Sequence, residues 1–245
     1  MKIKLHKNLD GKIWDKNEQM NPKVSDMLLS IAWAYIDYVR NEYDMPIRNC
    51  DIKDIFVFGS ITQLFHDKKS DIDICIVLDI DYTKQQFPNL DIEKQLKLYF
   101  YDWAMVHICK IYGHKIDLNF QNEKTPEYNG RYRRGPIYSL LNKEWVLKPI
   151  ALSKDELKKL EHQATIIYKK IIHDYNIVKK NGFKLNEIKQ LYSNIQASKK
   201  YSLANNCEQI MTPTYMAIWQ VKHKGYIKKL RDKAIKKETE KYVLK

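Results

Sequence analysis

A glycine–serine pair between two apolar runs constrains the fold of this chain more than any other feature. Asp54–Phe58 precedes Gly59 and Ser60, and ten residues separate Ser60 from the alternating segment Asp71–Leu78. Short apolar runs bounded by turn residues predict buried strands, and glycine suits a turn because it adopts backbone angles that other residues avoid. The pattern predicts a strand, a turn, a short helix over residues 61–65 and a second strand.

The predicted turn has the features of a phosphate-binding site. Ser60 can cap the helix predicted over residues 61–65, whose first backbone N–H groups have no partner within the helix. These N–H groups and the positive end of the helix dipole favour a phosphate, and Gly59 allows the backbone to approach it closely. We therefore predict that Gly59 and Ser60 contact phosphate.

Three acidic residues are predicted to lie beside this turn. The period-two alternation places Asp71 and Asp73 on one face of their strand. Two carboxylates on one face repel each other unless a cation neutralises them, and Mg²⁺ favours a few carboxylates together with phosphate oxygens. Asp117, inside the apolar run 115–120, supplies a third carboxylate that would complete a two-metal site.

At these residues the chain resembles the DNA-polymerase-β-like nucleotidyltransferase superfamily. The motif of that superfamily is a hydrophobic residue with Gly-Gly or Gly-Ser, a short spacer, an acidic–hydrophobic–acidic triplet and a later carboxylate on another strand. The resemblance implies that Asp71 and Asp73 hold Mg²⁺ and that Asp117 helps to activate an acceptor hydroxyl. It also implies a transferase that moves an NMP from an NTP to that hydroxyl.

The sequence departs from the superfamily in one respect. Many members carry a basic residue and a second glycine after the pair, whereas Ile61–His66 follows here. Phosphate contacts must then come from the backbone, the serine hydroxyl and a distant cation. Arg131, Arg133 and Arg134, which lie between two glycines in the segment 130–136, could supply such contacts because Arg binds phosphate in a bidentate fork. A solvated turn explains this segment equally well.

Charge is distributed unevenly along the chain. Residues 1–150 hold 22 Lys and Arg against 21 Asp and Glu, whereas residues 151–245 hold 21 against 9, so nearly all of the formal net charge of +13 lies in the second part. A basic region joined to a near-neutral one suggests a surface for a polyanion such as RNA. The alternative is a lysine-rich composition, although this alone does not explain why acidic residues are scarce there.

The sequence patterns change at the same place. Residues 1–150 are predicted to form an α+β domain, a small mixed nucleotidyltransferase sheet flanked by helices, and residues 151–245 a basic α-helical bundle. Capping and proline signals predict helices over residues 22–43, 91–112, 153–180 and 185–201, and one helix from Pro213 to the lysine-rich end. The stretch 136–142 is predicted to be a short helix and 145–147 a strand.

Composition restricts the cellular setting. No apolar run approaches the roughly 20 residues that a membrane span needs, and the N-terminus lacks the apolar segment of a secretory signal. The four cysteines form no CxxC pair and are predicted to be reduced thiols, and the seven histidines show no metal-ligand spacing. These features predict a cytoplasmic protein without a membrane partner.

Two classes of function follow from these observations. The first hypothesis is a Mg²⁺-dependent nucleotidyltransferase whose acceptor is RNA, for example a tRNA 3′ end. A small molecule, as in antibiotic-modifying enzymes, or a protein is the next acceptor considered. The second hypothesis is a catalytically idle nucleic-acid-binding protein that keeps the fold as a scaffold.

Overall fold

The chain forms two compact units in the computed structural model, which describes residues 5–64, 66–67, 70–107, 109–124, 135–150, 152–204 and 212–240. One unit is His6–Pro149, which contains the sheet. The other is Ile150–Lys245 together with the N-terminal Leu5, and its described secondary structure is helical. Leu5 belongs to this second unit because its backbone N–H donates to Glu161 Oε1 at 2.7 Å.

The sheet unit contains six strands and three α-helices in its described residues. Its helices are α1 (Pro22–Tyr43), α2 (Asp81–Gln86) and α3 (Ile92–Val106). Its strands are β1 (Ile52–Phe58), β2 (Ile72–Leu78), β3 (Lys110–Ile111), β4 (His114–Asn122), β5 (Ile137–Ser139) and β6 (Glu144–Leu147). The strand order is β3-β4-β2-β1-β5-β6, and β2 and β4 pair in parallel whereas the other described pairs are antiparallel. This mixed sheet with flanking helices confirms the predicted α+β class.

Helix α1 begins and ends where the sequence predicts. The Asn21 side chain accepts a hydrogen bond from the backbone N–H of Lys23, and Pro22 is the first helical residue, where its missing N–H costs nothing. At the other end Asp44 has a left-handed conformation with φ 49°, and its N–H donates to Val39 O. Local capping chemistry therefore sets both ends of this helix.

The main core of the sheet unit lies on one face of the sheet, against α1 and α3. Alternate residues of β2, namely Ile72, Ile74 and Ile76, are fully buried in it, and each buried side chain of this size contributes about 1.5–3 kcal/mol. Tyr35 of α1 crosses this core and donates a hydrogen bond to Leu96 O at 2.5 Å. Because strand side chains alternate, the intervening residues of β2 lie on the other face.

Two segments predicted to be helical are β-hairpins instead. Helix α3 ends at Val106, and β3 and β4 then pair around Tyr112 and Gly113, whose φ angles are 50° and 91°. Positive φ at both central residues is what a tight hairpin turn requires, so the prediction of a helix over 91–112 is wrong beyond Val106. The predicted helix over 136–142 is also wrong, because β5 pairs with both β1 and β6.

The described part of the second unit consists of four α-helices. They are α4 (Lys154–Lys180), α5 (Leu185–Ala204), α6 (Pro213–His223) and α7 (Tyr226–Thr239). Ser153 and Glu156 form the predicted capping box at the start of α4. The single helix predicted from Pro213 is divided in two by Gly225, whose φ is 78°. None of the described helices is both long enough and apolar enough to cross a bilayer.

Candidate functional site

The parallel pairing of β2 and β4 brings two of the predicted carboxylates together. Asp73 and Asp117 are Cα partners in register, so their side chains lie on the same face of neighbouring strands, which are about 4.8 Å apart. Asp71 immediately precedes β2 and, like Asp73, is half-buried, whereas Ile72 between them is fully buried. The predicted alternation is therefore present, and it places acidic side chains from two strands side by side.

The turn after β1 lies against Asp73. Phe58, the last residue of β1, pairs with Asp73, and Gly59 follows with φ 87° and ψ −154°. A Cβ atom on Gly59 would overlap Oδ2 of Asp73. Glycine is therefore required both for its backbone angles and for the space that the Asp73 carboxylate occupies.

The turn differs from the capped helix that the sequence predicts over residues 61–65. Ser60–Thr62 form a single 3₁₀ turn whose N-cap residue is Gly59, and no side chain caps this described turn. The Thr62 hydroxyl lies 2.8 Å from Gly59 O and 3.0 Å from Pro136 O, so it closes the turn. The prediction that Ser60 caps a helix is wrong, and the dipole of a longer helix does not contribute here.

Lys97 of α3 contacts the third carboxylate, and no sequence pattern indicated this contact. Its Nζ donates to Asp117 Oδ1 at 2.5 Å and to Leu118 O at 2.6 Å, and it lies 3.3 Å from Asn119 Oδ1. Lys97 is one of many lysines and lies far from Asp117 in the sequence. Its role becomes visible only when α3 is placed beside β4.

The oxygen atoms around Asp73 and Asp117 suit a hard divalent cation. In the described ranges no group of three or more His, Cys, Asp or Glu side chains is already arranged to hold a metal ion. The Lys97 ammonium nevertheless sits among three oxygens at Asp117, so this position already accommodates positive charge. Mg²⁺ prefers the same kind of oxygen ligand, and Asp71, Asp73 and Asp117 are the residues that could hold it.

A cleft of about 470 Å³ lies next to the segment that carries Asp71. Its lining includes three histidines and two aspartates: His6, Asp10, Lys12, His66, Asp67, Tyr112, Gly113 and His114. His114 is buried, and its Nδ1 donates to Ser70 O at 2.7 Å. The carbonyl of Ser70 precedes Asp71 in the chain, so the cleft and the candidate site share one segment of backbone.

Two buried histidines in this cleft face one carboxylate oxygen. His66 Nε2 donates to Asn8 O at 3.2 Å, so its Nδ1 is directed to Asp10 Oδ2 at 3.7 Å. His114 Nε2 lies 3.5 Å from the same oxygen. Burial lowers the pKa of His66 and favours its neutral form. The histidines are distant in sequence, which is why spacing did not identify them.

The remaining predicted phosphate contacts fall outside the described part of the chain. Arg131, Arg133 and Arg134 lie in the segment 125–134, to which the structure assigns no description. Their role in nucleotide binding stays a prediction.

The second unit has an exposed basic helix. All six basic residues of α7 are exposed: Lys228, Lys229, Arg231, Lys233, Lys236 and Lys237. Among the described residues, Lys237 forms an ion pair with Glu240 at 3.3 Å, and Glu238 of α7 pairs with Lys189 at 2.6 Å. The solvent-facing surface of α7 therefore keeps an excess of positive charge.

Comparison with known proteins bears directly on this geometry. No curated protein sequence matches the chain significantly. The profile of the family described as Nucleotidyltransferase domain matches residues 45–178, more than half of the chain, and this range contains β1, β2, β4 and all three carboxylates. The match confirms the resemblance indicated by the Gly-Ser turn and the aspartates. The chain belongs to the nucleotidyltransferase domain family.

Proposed function

We propose that this protein is a Mg²⁺-dependent nucleotidyltransferase that moves an NMP from an NTP to the hydroxyl group of an acceptor. The observation that carries the proposal is the register of Asp73 and Asp117 on parallel strands, with the Gly59 turn against Asp73. Family membership supports NMP transfer in general. The choice of metal rests on the oxygen ligands, and the choice of acceptor rests on the distribution of charge.

The three carboxylates have different roles in the proposed reaction. Asp71 and Asp73 would hold Mg²⁺, and Asp117 would complete a two-metal site, whose ions would supply Lewis-acid stabilisation of charge on the phosphates. Asp117 also accepts the proton of the acceptor hydroxyl. The oxygen of that hydroxyl then forms a bond to the α-phosphorus. The bond from the α-phosphorus to the oxygen that bridges to the β-phosphate breaks, and pyrophosphate leaves.

The groups that position the triphosphate come from the turn and from the arginine segment. The backbone at Gly59 and the hydroxyl of Ser60 are the nearest candidates, because this turn lies against Asp73. Arg131, Arg133 and Arg134 are further candidates, since a guanidinium group can bind two phosphate oxygens at once.

For the acceptor we propose RNA, bound by the basic domain 151–245, while domain 1–150 carries out catalysis. The exposed basic residues of α7 support this choice, as does the charge of +12 in the second part against +1 in the first. We also propose a cytoplasmic location. Cys50, Cys75 and Cys109 form no disulfide among the described residues, which is consistent with a reducing compartment.

A small-molecule acceptor is the second candidate, and one observation favours it. The cleft lined by the histidines has a volume of about 470 Å³, which is within the usual range for small-molecule sites. It adjoins Asp71 through the hydrogen bond from His114 to Ser70 O. A cleft of this size can hold an acceptor much smaller than RNA, although none of the three carboxylates lines it.

The assignment of the metal ligands is tested by removing two carboxylates without changing side-chain size. Asp71→Asn with Asp73→Asn should abolish transfer of labelled NMP in the presence of Mg²⁺, whereas stability should hold or rise because the repulsion between the carboxylates is removed. The matched control is Asp26→Asn with Asp37→Asn, which removes two exposed charges from α1. Normal turnover in the Asp71/Asp73 variant would refute the assignment.

The acceptor is identified by where the label goes. Incubation with each labelled NTP and total RNA should label RNA, and reversing the charge of Lys228, Lys229, Lys236 and Lys237 should weaken RNA binding and reduce its dependence on salt. Label in a small molecule or a protein would instead identify that acceptor class. Absence of transfer with every metal, combined with salt-sensitive RNA binding, would favour the catalytically idle scaffold.

A further inference from the structure

The Lys97 ammonium contacts one of the two carboxylate oxygens through which Asp117 could bind a divalent ion. Its Nζ lies 2.5 Å from Asp117 Oδ1, and the side chains of Lys97 and Asp117 are 24% and 42% exposed, so an ion can approach from solvent. We propose that Lys97 is a tethered counter-ion that competes with the divalent metal for Asp117. Asp117 then binds metal only after Lys97 has released it.

The open edge of β4 explains why the ammonium is held there. Strand β3 has two residues and pairs with β4 only at His114 and Lys115, so within the described sheet no strand covers the outer edge of β4 from Asp117 onward. Open edges expose backbone carbonyls, and Lys97 donates to that of Leu118 at 2.6 Å. The ammonium therefore binds an edge carbonyl and a carboxylate together.

Two aromatic rings also lie near the Lys97 ammonium in the position where it contacts Asp117. The ring centroids of Phe100 and Tyr101 each lie 5.2 Å from its Nζ, and an aromatic face attracts a cation at this range. The lysine side chain is a flexible four-carbon stem. Because the Lys97 side chain is 24% exposed, its ammonium can leave Asp117 for solvent by rotation of side-chain bonds, without a change in the backbone of α3.

Electrostatic repulsion makes the two cations alternatives. With an Mg–O distance of about 2.1 Å and the 2.5 Å between Nζ and Oδ1, a metal and an ammonium on the same carboxylate oxygen would be about 4 Å apart, where like charges repel strongly. Metal binding and release of Lys97 are therefore coupled, and the coupling is reciprocal. Removing the ammonium should raise the metal affinity of the nucleotide-free protein.

Direct metal binding tests this inference, which rests on the proposed function. Mn²⁺, which accepts the same oxygen ligands as Mg²⁺, is titrated into the nucleotide-free full chain, and the free ion is measured by electron paramagnetic resonance. Lys97→Met and Lys97→Gln should each bind Mn²⁺ about tenfold more tightly than the wild type, and Lys97→Arg should resemble the wild type because it keeps the charge. The control is Lys94→Met, which removes an exposed lysine one turn earlier in α3.

The outcomes separate this inference from the proposed function. Unchanged or weaker Mn²⁺ binding in folded Lys97→Met and Lys97→Gln, with binding lost in Asp71→Asn/Asp73→Asn, would overturn the competition while leaving the metal site in place. Failure of every variant and of the wild type to bind Mn²⁺ would refute the metal site and, with it, the proposed reaction. Tighter binding in Lys94→Met as well would reduce the effect to general surface charge and would also overturn the specific role of Lys97.

Discussion

Replacing Gly59 with alanine should destabilise the sheet unit through two separate effects. Its backbone angles, φ 87° and ψ −154°, belong to a region that is almost restricted to glycine, and holding another residue there costs about 1–3 kcal/mol. The new Cβ atom would also overlap Asp73 Oδ2, and relieving such overpacking costs about a further 1–3 kcal/mol. We expect the free energy of unfolding to fall by roughly 2–6 kcal/mol.

A double-mutant cycle separates the two effects. Gly113→Ala, in the same unit, is the control for backbone strain alone, because its φ is 91° and no described atom lies within 4 Å of the added Cβ. Asp73→Ala removes the carboxylate that the Gly59 substitution would meet. The cost of Gly59→Ala should therefore be smaller in the Asp73→Ala background by about 1 kcal/mol or more, a coupling typical of residues in contact.

Urea unfolding followed by tryptophan fluorescence measures each corner of this cycle, with equal slopes required before the free energies are compared. A steric clash with Asp73 would be refuted if Gly59→Ala cost no more than Gly113→Ala and if that cost were the same with and without the Asp73 carboxylate. Strain alone would then account for the glycine, and the turn would not determine where the Asp73 side chain lies.

Two buried ionisable groups should give the stability of the sheet unit opposite dependences on pH. Burial raises the pKa of Asp54 above 3.8, so the folded state binds the proton more tightly and the free energy of unfolding falls as the pH rises above about 4. Asp54→Asn should remove that fall, because an amide does not titrate and its oxygen can still accept hydrogen bonds from Ser139 Oγ and Ile55 N. A fall that persists in urea titrations of this variant would contradict the assignment. Burial lowers the pKa of His66 below 6.5, so the unfolded state takes up the proton first and stability falls as the pH drops below about 6.5. His66→Gln should flatten that part of the profile, and an unchanged profile would assign the loss to another group.

Local chemistry explains which parts of the fold could be predicted from the sequence. Helices α1 and α4 begin at residues whose side chains cap them, Asn21 and Ser153, and such signals are contained within a few neighbouring residues. The strands that carry Asp73 and Asp117 were predictable because polar and apolar residues alternate around these aspartates. The Gly-Ser turn and the acidic pair were enough to indicate the family.

The sequence-based predictions failed where contacts between residues distant in sequence determine the structure. Gly113 is compatible with either a helix end or a hairpin turn, and pairing of β3 with β4 selects the hairpin. The short strand β5 is held by its pairing with β1 and β6. The local pattern over residues 136–142 cannot reveal this pairing. Lys97 and His114 reach the candidate site through tertiary contacts with Asp117 and Ser70. Lysine and histidine at those positions carry no periodic or spacing signal.

The parallel pairing of β2 with β4 also determines when the proposed cation site can form during folding. Strands β1 and β2 are close in sequence and pair antiparallel, so they can associate early, before Asp117 is near. The segment that contains α2 and α3 must bring β4 beside β2 before Asp73 lies next to Asp117. Contacts across so long a segment form slowly. Until then the two aspartates before and within β2 repel each other with neither the third carboxylate nor Lys97 in place. If the proposed site binds a divalent ion, uptake of that ion should be among the last events in folding, and its rate would report completion of the sheet.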